Sequence, residues 1–363
     1  MSPRHPAAPT ITDVARHAQV SMKTVSRVLN DEPNVVPAMR ERVMASVKAL
    51  DYRPNLHARS LARARSSLLG LLYYASSAAF VMGLQQGATA RCRALGYHLV
   101  VEQLDDSGEH VPDQLRHMLT ALRPDGLILA PPVCDDPDIL RLLSDARVPC
   151  VLISPGMARP GFGNVSIDDV AAARAITEVL IGHGHRRIGH IHGNPRQAAA
   201  PHRREGFRQA LLAHGLADDP ALVVPGDFSF PSGMAGCHAL LSLPEPPSAI
   251  FAANDEMALG VLAAAQQHGL QVPRDLSVAG FDDAPLASLI WPPLSTVRQP
   301  VNEMAEAAVD MLVSRSSASP AEPAPAMAQP AGGPVAPAPA MTDRVLPYGL
   351  LLRASVQAPK AAG

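Results

Sequence analysis

Eight apolar runs of strand length, alternating with stretches of helical character, constrain this 363-residue chain more than any other feature. Four come first: LLGLLYY (68–74), YHLVVE (97–102), GLILA (126–130) and CVLIS (150–154). Four more follow: RIGHIH (187–192), ALVV (221–224), AIFAA (249–253) and LSVAGF (276–281). Their near-continuous apolar character marks strands covered on both faces, as happens when helices cross over a parallel sheet. Two such series predict an α/β body of two similar lobes with a cleft between them. A last run, VLPYGLLL (345–352), reads as one closing strand.

The first fifty residues have a different rhythm. Thr10, Thr12 and Asp13 offer caps to a short helix bearing Val14, Ala15 and Ala18 at helical spacing. Ser21 caps a second helix whose inner face is Val25, Val28 and Leu29, which leaves Met22, Lys23, Thr24 and Arg27 to project elsewhere. Pro37 suits the first turn of a third helix with Val43, Val47 and Leu50 as its stripe. In such a helix pair the second member enters the major groove of DNA. Lys23 and Arg27 can donate to guanine O6 and N7, and the Met22 thioether can lie on a thymine methyl.

Charge supports that reading. The net charge of -2 conceals a basic segment, 11 Lys+Arg against 5 Asp+Glu in residues 1–65, on an acidic remainder of 20 against 28. A basic head on an acidic body is the electrostatic footprint of a nucleic-acid reader. Apolar residues at 47% exclude wholesale disorder. No run approaches a membrane span and the first 30 residues lack the order of a signal peptide, so a cytoplasmic protein without membrane contact is expected. Residues 316–341 hold seven Pro and nine Ala with almost no charge, which predicts an extended disordered insertion whose ends sit at the surface.

Taken whole, TITDVARHAQVSMKTVSRVLN followed by ERVMASVKALDYRPNLHARSLA closely resembles the lactose/galactose-repressor (LacI/GalR) family of bacterial transcription regulators. The resemblance continues through RPDGLILAPP, GHRRIG, FAANDEMALGVL, LSVAGFDD and WPPLSTVRQP, so it spans nearly the whole chain except 316–341. It implies a helix-turn-helix head over 1–54, a hinge helix and linker over 55–66, a two-lobed periplasmic-binding-protein-like body over 67–353, and a tail over 354–363. It further implies a homodimer on double-stranded operator DNA, nucleoid-associated when bound, with a small effector, a sugar, between the lobes. Thr12, Ser21, Met22, Lys23, Thr24, Arg27, Asn30 and Tyr52 would contact DNA, joined by Asn55, Ala58 and Leu61 of the hinge. Leu61 would be the wedge that kinks the central base step. An eight-residue hinge helix is marginal alone and should fold on DNA. Where the family commonly has Gly, this chain has Gln19. If that turn needs φ > 0, Gln costs roughly 1 to 2 kcal/mol more than Gly.

For the cleft, the resemblance implies effector contacts from Arg203, Asn254 and Asp282, with Phe228 as an aromatic platform and Gln299 on a crossover strand. Tyr74 and Phe80 flank the end of the first strand, where many relatives carry Asp or Asn. A guanidinium, an amide and a carboxylate together satisfy vicinal hydroxyls in both donor and acceptor senses. Effector and operator would then be coupled by linkage, in a family with members of either sign.

Other chemistries find no support. His183, His185, His190 and His192 lack a carboxylate or cysteine at ligand spacing, and the four cysteines (Cys92, Cys134, Cys150, Cys237) form no CxxC pair. Gly182-His183-Gly184 lacks the third glycine of a dinucleotide fingerprint, no GK[ST] follows, and no GxSxG is present. The expectation is a regulator without metal or cofactor, not an enzyme. A binding protein or enzyme on the same fold, with a head that no longer reads DNA, is the rival; Lys23, Arg27, Asn55 and Leu61 speak against it.

Overall fold

The computed structural model describes residues 9–29, 35–52, 66–74, 78–105, 108, 110–318 and 341–360. The chain divides into two units between Ser66 and Ser67. The expected hinge residues Asn55, Ala58 and Leu61 lie outside the described residues, as do Asn30 and most of the insertion.

In the first unit, α1 (Ile11–Ala18) opens with a capping box. The Asp13 N–H donates to Thr10 Oγ1 (3.4 Å) while the Thr10 N–H donates back to the Asp13 carboxylate (2.9 Å). Such caps contribute about 1 kcal/mol each. The helix ends at Gln19, whose φ of 53° and ψ of 46° lie in the left-handed region, so the conformation that favours glycine is indeed required here. α2 (Met22–Leu29) starts where the Thr24 N–H donates to Ser21 Oγ (3.1 Å), and α3 (Pro37–Ala49) starts on its proline. Val14, Ala18, Val25, Val28 and Val43 meet in one buried cluster. A polar tie supplements it: His17 Nδ1 and Ser46 Oγ lie 3.0 Å apart, fastening α1 to α3.

The second unit carries two six-stranded sheets. The first contains β1 (Leu68–Tyr73), β2 (His98–Gln103), β3 (Gly126–Leu129), β4 (Cys150–Ile153), β5 (Gly163–Ser166) and β11 (Arg344–Val345), in the order β11-β5-β4-β3-β1-β2, all parallel. The second contains β6 (Ile188–Ile191), β7 (Val223–Val224), β8 (Ala249–Ala252), β9 (Ser277–Asp282), β10 (Ser295–Arg298) and β12 (Gly349–Leu351), in the order β12-β10-β9-β8-β6-β7, with β12 antiparallel to β10. Every residue of β3, β4, β6 and β8 is buried, which is why β3, β4 and β8 read as unbroken apolar runs.

Between the strands run α4 (Ala78–Leu95), α5 (Val111–Ala121), α6 (Pro137–Asp145), α7 (Asp169–Gly182), α8 (Ala199–Ala213), α9 (Phe230–Leu241), α10 (Asp255–Gln267) and α11 (Val301–Ala318). The chain passes from one sheet to the other after β5, after β10 and between β11 and β12. One apolar cluster spans both lobes, holding Ile153 and Met304 together with Phe207 and Phe281.

Three sequence expectations are corrected. The run 345–352 is two strands, β11 in the first sheet and β12 in the second, because Pro347 has no N–H for a ladder and the chain crosses lobes at that point. Residues 354–360 are no loose tail: Ser355 is fully buried, its hydroxyl donating to the Val278 carbonyl (2.6 Å) and accepting from the Ser295 N–H (2.7 Å). Finally, the Pro/Ala-rich stretch does not begin cleanly at 316, since α11 runs to Ala318, and Met341 already packs beside Gly163.

Candidate functional site

On the head, α2 turns Val25 and Val28 inward, and Met22 (53% exposed), Lys23 and Arg27 stand out from its other side. Thr12, on α1, reaches the same neighbourhood, its hydroxyl donating to the Met22 sulfur (3.4 Å). Ser21 and Thr24 are joined by their hydroxyls (2.9 Å), so they fix the helix start as well as facing solvent. Tyr52 is different. Its ring is buried in the head core with Val14 and Val43.

In the body, a narrow cleft lies between the lobes, lined by Phe80, Arg203, Phe228, Asn254, Asp282 and Gln299 among others. Six of the seven effector residues expected from sequence thus converge. Tyr74 does not: it is buried among Leu72, Leu104 and Val111 beneath the first sheet, since a residue just past β1 follows the strand's inward register.

Arg203, on α8, is 4% exposed and anchors the cleft floor. Its Nε donates to Asp169 Oδ1 (2.8 Å), its Nη1 donates to the Ala253 carbonyl (2.6 Å), and its guanidinium lies 3.7 Å from the Phe281 ring centroid. The same Nη1 reaches Asp282 Oδ1 at 3.5 Å. That oxygen also accepts from Gln299 Nε2 (2.6 Å). Burial holds the Asp282 carboxyl up at about 6, although Arg203 and Gln299 pull it down. Asp282 and Asp283 have φ values of 120° and 57°, a strained pair at the end of β9. The strain is held from several sides: the Ala284 N–H donates to Asp255 Oδ2 (2.7 Å), Thr296 Oγ1 donates to Asp255 Oδ1 (2.7 Å), and Arg353 Nη2 donates to Asp283 Oδ1 (2.6 Å).

Asn254 is partly committed elsewhere. Its side-chain oxygen caps α10 by accepting the Met257 N–H (2.9 Å), and Nδ2 donates to the Phe228 carbonyl (3.0 Å). The tip of the Phe228 ring lies against Gly193, where any Cβ would sit 2.1 Å from its Cζ. That glycine was not legible as a site residue.

Pro131, Ser154, Gln197 and Ala199 complete the lining and were missed from sequence. Ser154 is the most telling. It follows β4 with φ of 47°, is 7% exposed, and among the described residues its Oγ has no hydrogen-bond partner. A buried hydroxyl left unpaired beside a cavity calls for a polar ligand or water.

The histidines are occupied otherwise. His185 bridges Ser248 Oγ (2.8 Å) and the Gln357 carbonyl (2.9 Å), and His183 Nδ1 lies 2.8 Å from the Val179 carbonyl. His190 packs against both Phe207 and Phe251, with its Nδ1 3.0 Å from the Phe251 carbonyl; burial presses its pKa down to about 3. His192 lies just past the end of β6, its ring edge-on to His190 at 6.1 Å. All four cysteines are buried and unbridged, and burial raises each thiol. Among the described residues, no helix is long and apolar enough to cross a membrane.

Comparison with known proteins gives this geometry its context. Residues 10–55 match the model of bacterial regulatory proteins of the lacI family, and residues 177–335 match the periplasmic binding protein-like domain. The ribose operon repressor of Escherichia coli K12 is 36% identical over 306 residues, covering 84% of this chain and 92% of that protein. The transcriptional regulator CelR of Thermobifida fusca is 34% identical over 322 residues, covering 87% of this chain and 94% of the relative. Among solved structures, the lac repressor dimer bound to operator and the anti-inducer ONPF superposes with a TM-score of 0.78 at 29% identity, covering 96% of this chain and 99% of the repressor. The CelR–cellobiose complex gives 0.69 at 32% identity, covering 96% and 100%. An exposed α2 on a compact head, two parallel-sheet lobes, and agreement along the chain's length with repressors lead to one assignment: the chain belongs to the lacI family, as a DNA-binding transcriptional repressor and not an enzyme.

Proposed function

We propose that this repressor controls genes of carbohydrate use and that a sugar bound between the lobes sets its affinity for operator DNA. The observation that carries the reading is the cleft network of Arg203, Asp282 and Gln299 between Phe80 and Phe228, with the unpaired Ser154 hydroxyl in its wall. Donors and acceptors set side by side suit vicinal hydroxyls, and the aromatic rings suit the C–H faces of a sugar. The names of the relatives agree, ribose operon repressor and a regulator complexed with cellobiose.

On the DNA side, Met22, Lys23 and Arg27 read base edges, and Thr12, Ser21 and Thr24 position the head, as part of a dimer on a near-palindromic site. Asn30, Asn55, Ala58 and Leu61 complete the contact set by resemblance alone. Sugar and operator affect one another through the lobe geometry, each by the same factor. The cytoplasm is the compartment this role requires.

The test is direct. The purified protein is titrated calorimetrically with sugars, purines and amino acids, and each ligand that binds is added to an operator-binding assay with DNA from upstream of its own gene. A sugar that binds and changes operator affinity is expected. A purine or an amino acid as the ligand that does so would overturn the carbohydrate reading.

A further inference from the structure

Arg353 stands two residues past β12 and does not line the cleft, yet it grips the corner that carries Asp282. Its Nη2 donates to Asp283 Oδ1 (2.6 Å) and its Nη1 to the Leu294 carbonyl (2.9 Å). Among the described residues no other hydrogen bond reaches the Asp283 carboxylate. The side chains of Arg353 and Asp283 are 21% and 20% exposed, so the pair is screened less than one on the open surface.

The corner needs such a grip. Asp282 and Asp283 both have positive φ, and a strained turn of this kind keeps its shape only where its surroundings over-determine it. The backbone bonds at these two residues are long: the Asp282 carbonyl accepts from the Gln299 N–H at 3.3 Å, and the Asp283 N–H reaches Thr296 Oγ1 at 3.4 Å. A turn of the Asp283 peptide would swing the preceding side chain, and Asp282 Oδ1 would leave Gln299 Nε2 and Arg203 Nη1. Arg353 is itself anchored by its backbone, whose N–H donates to Ser295 Oγ (2.9 Å). Two residues on, the Ser355 carbonyl accepts the Val278 N–H (2.9 Å), so the strap stays seated whatever its guanidinium does.

We infer, on the footing that Asp282 contacts the effector, that Arg353 is a positioning residue of the effector site: by holding the Asp283 carboxylate it fixes the corner that aims Asp282 into the cleft. The planar fork of arginine suits the task, because one nitrogen takes Asp283 while the other takes the Leu294 carbonyl. A lysine has a single nitrogen and can serve only one of the two directly.

Three variants of the full-length protein test it. Arg353→Met keeps the stem and loses the fork, Arg353→Lys keeps the charge, and Asp283→Gly removes the carboxylate at a φ of 57° that glycine accepts. Hydrogen–deuterium exchange resolved by residue is read first, since it needs no sugar. In Arg353→Met the amides of Ala284 and Gln299 should exchange about tenfold or more faster, while Val278, held by the strap, keeps its rate. Asp283→Gly should show the same pattern, and it carries the test should Arg353→Met not fold. Calorimetry with ribose, glucose, galactose and cellobiose follows. The sugar that the wild type binds best should bind about tenfold or more weakly to either variant and no more weakly to the double variant, since both cut one bond. Arg353→Lys should recover most of the loss, and operator affinity without sugar should stay unchanged in all. Unaltered exchange at Ala284 and Gln299, equal acceleration at Val278, or wild-type sugar affinity in Arg353→Met would each overturn the positioning role. A wild type that binds none of the four sugars would count against the carbohydrate reading instead, with the exchange rates still deciding whether Arg353 holds the corner.

Discussion

The guanidinium of Arg203 and the carboxylate of Asp282 face each other at 3.5 Å in the cleft, yet Asp282 takes its shorter bond, 2.6 Å, from the neutral amide of Gln299. The charge on Arg203 is already met by Asp169 at 2.8 Å. Asp282 is therefore a second buried carboxylate whose pairing is incomplete, and burial holds its pKa up at about 6. A raised carboxyl favours folding while protonated and withdraws that contribution as pH rises from about 4 through 6. At neutral pH Asp282 thus opposes stability. Asp282→Asn should raise the melting temperature at pH 7, by the equivalent of roughly 1 to 3 kcal/mol, with little gain at pH 4. The same variant should weaken effector binding, and melts at both pH values with calorimetry check the two effects together.

His190 acts in the opposite sense. Its pKa is lowered to about 3 by burial against Phe207 and Phe251, so below about 6.5 the unfolded chain takes up a proton that the folded chain refuses. The stability this residue supports at neutral pH is lost as pH falls from 6.5 toward 3. Among the described residues its Nε2 also has no partner. His190→Phe should flatten the fall of melting temperature between pH 7 and pH 5, at little cost at pH 7 if the enlarged ring is accommodated. An unchanged acid slope would assign the acid lability to other groups.

Gln19 holds a left-handed turn with an ordinary side chain. Gln19→Gly should stabilise the head by about 1 kcal/mol, read as slower amide hydrogen exchange in α1 to α3, with the exchange of the body unaltered. Loss of protection would mean that the Gln19 side chain contributes more than its backbone strain costs.

Arg27 stands exposed on α2. Arg27→Ala should cost about 1 to 3 kcal/mol on the specific operator and less on random DNA, with gel shifts on both sequences as the check. Equal loss on the two would make Arg27 a phosphate contact.

Much of the fold could be read from local signals. The capping box at Thr10 and Asp13, the cap at Ser21 and the proline opening α3 are all short-range chemistry, and the buried parallel strands declare themselves by unbroken apolar runs. Strand β5, with Gly163 and Asn164, escaped because its residues are polar or small and owe their burial to tertiary neighbours. At the cleft, charged and aromatic residues in recognisable motifs were found. Ser154 and Gly193 were not: what marks them is an unpaired hydroxyl and a ring lying on a bare Cα, and both are relationships between segments far apart in the chain. Tyr74 was misplaced for the converse reason. A tyrosine at the right sequence position carries no sign of which way it faces, and packing turned Tyr74 away from the cleft.

The account stands on coupling between the Arg203–Asp282 cleft and operator DNA. Fluorescence anisotropy of labelled operator, measured with increasing concentrations of a sugar shown to bind, reads that coupling in the wild type and in Asp282→Asn. The predicted result is a change in operator Kd of about fivefold or more at saturating sugar in the wild type. In the variant the same operator affinity without sugar should be retained, and a higher sugar concentration needed for the change. An operator Kd that stays constant while the cleft fills would contradict it.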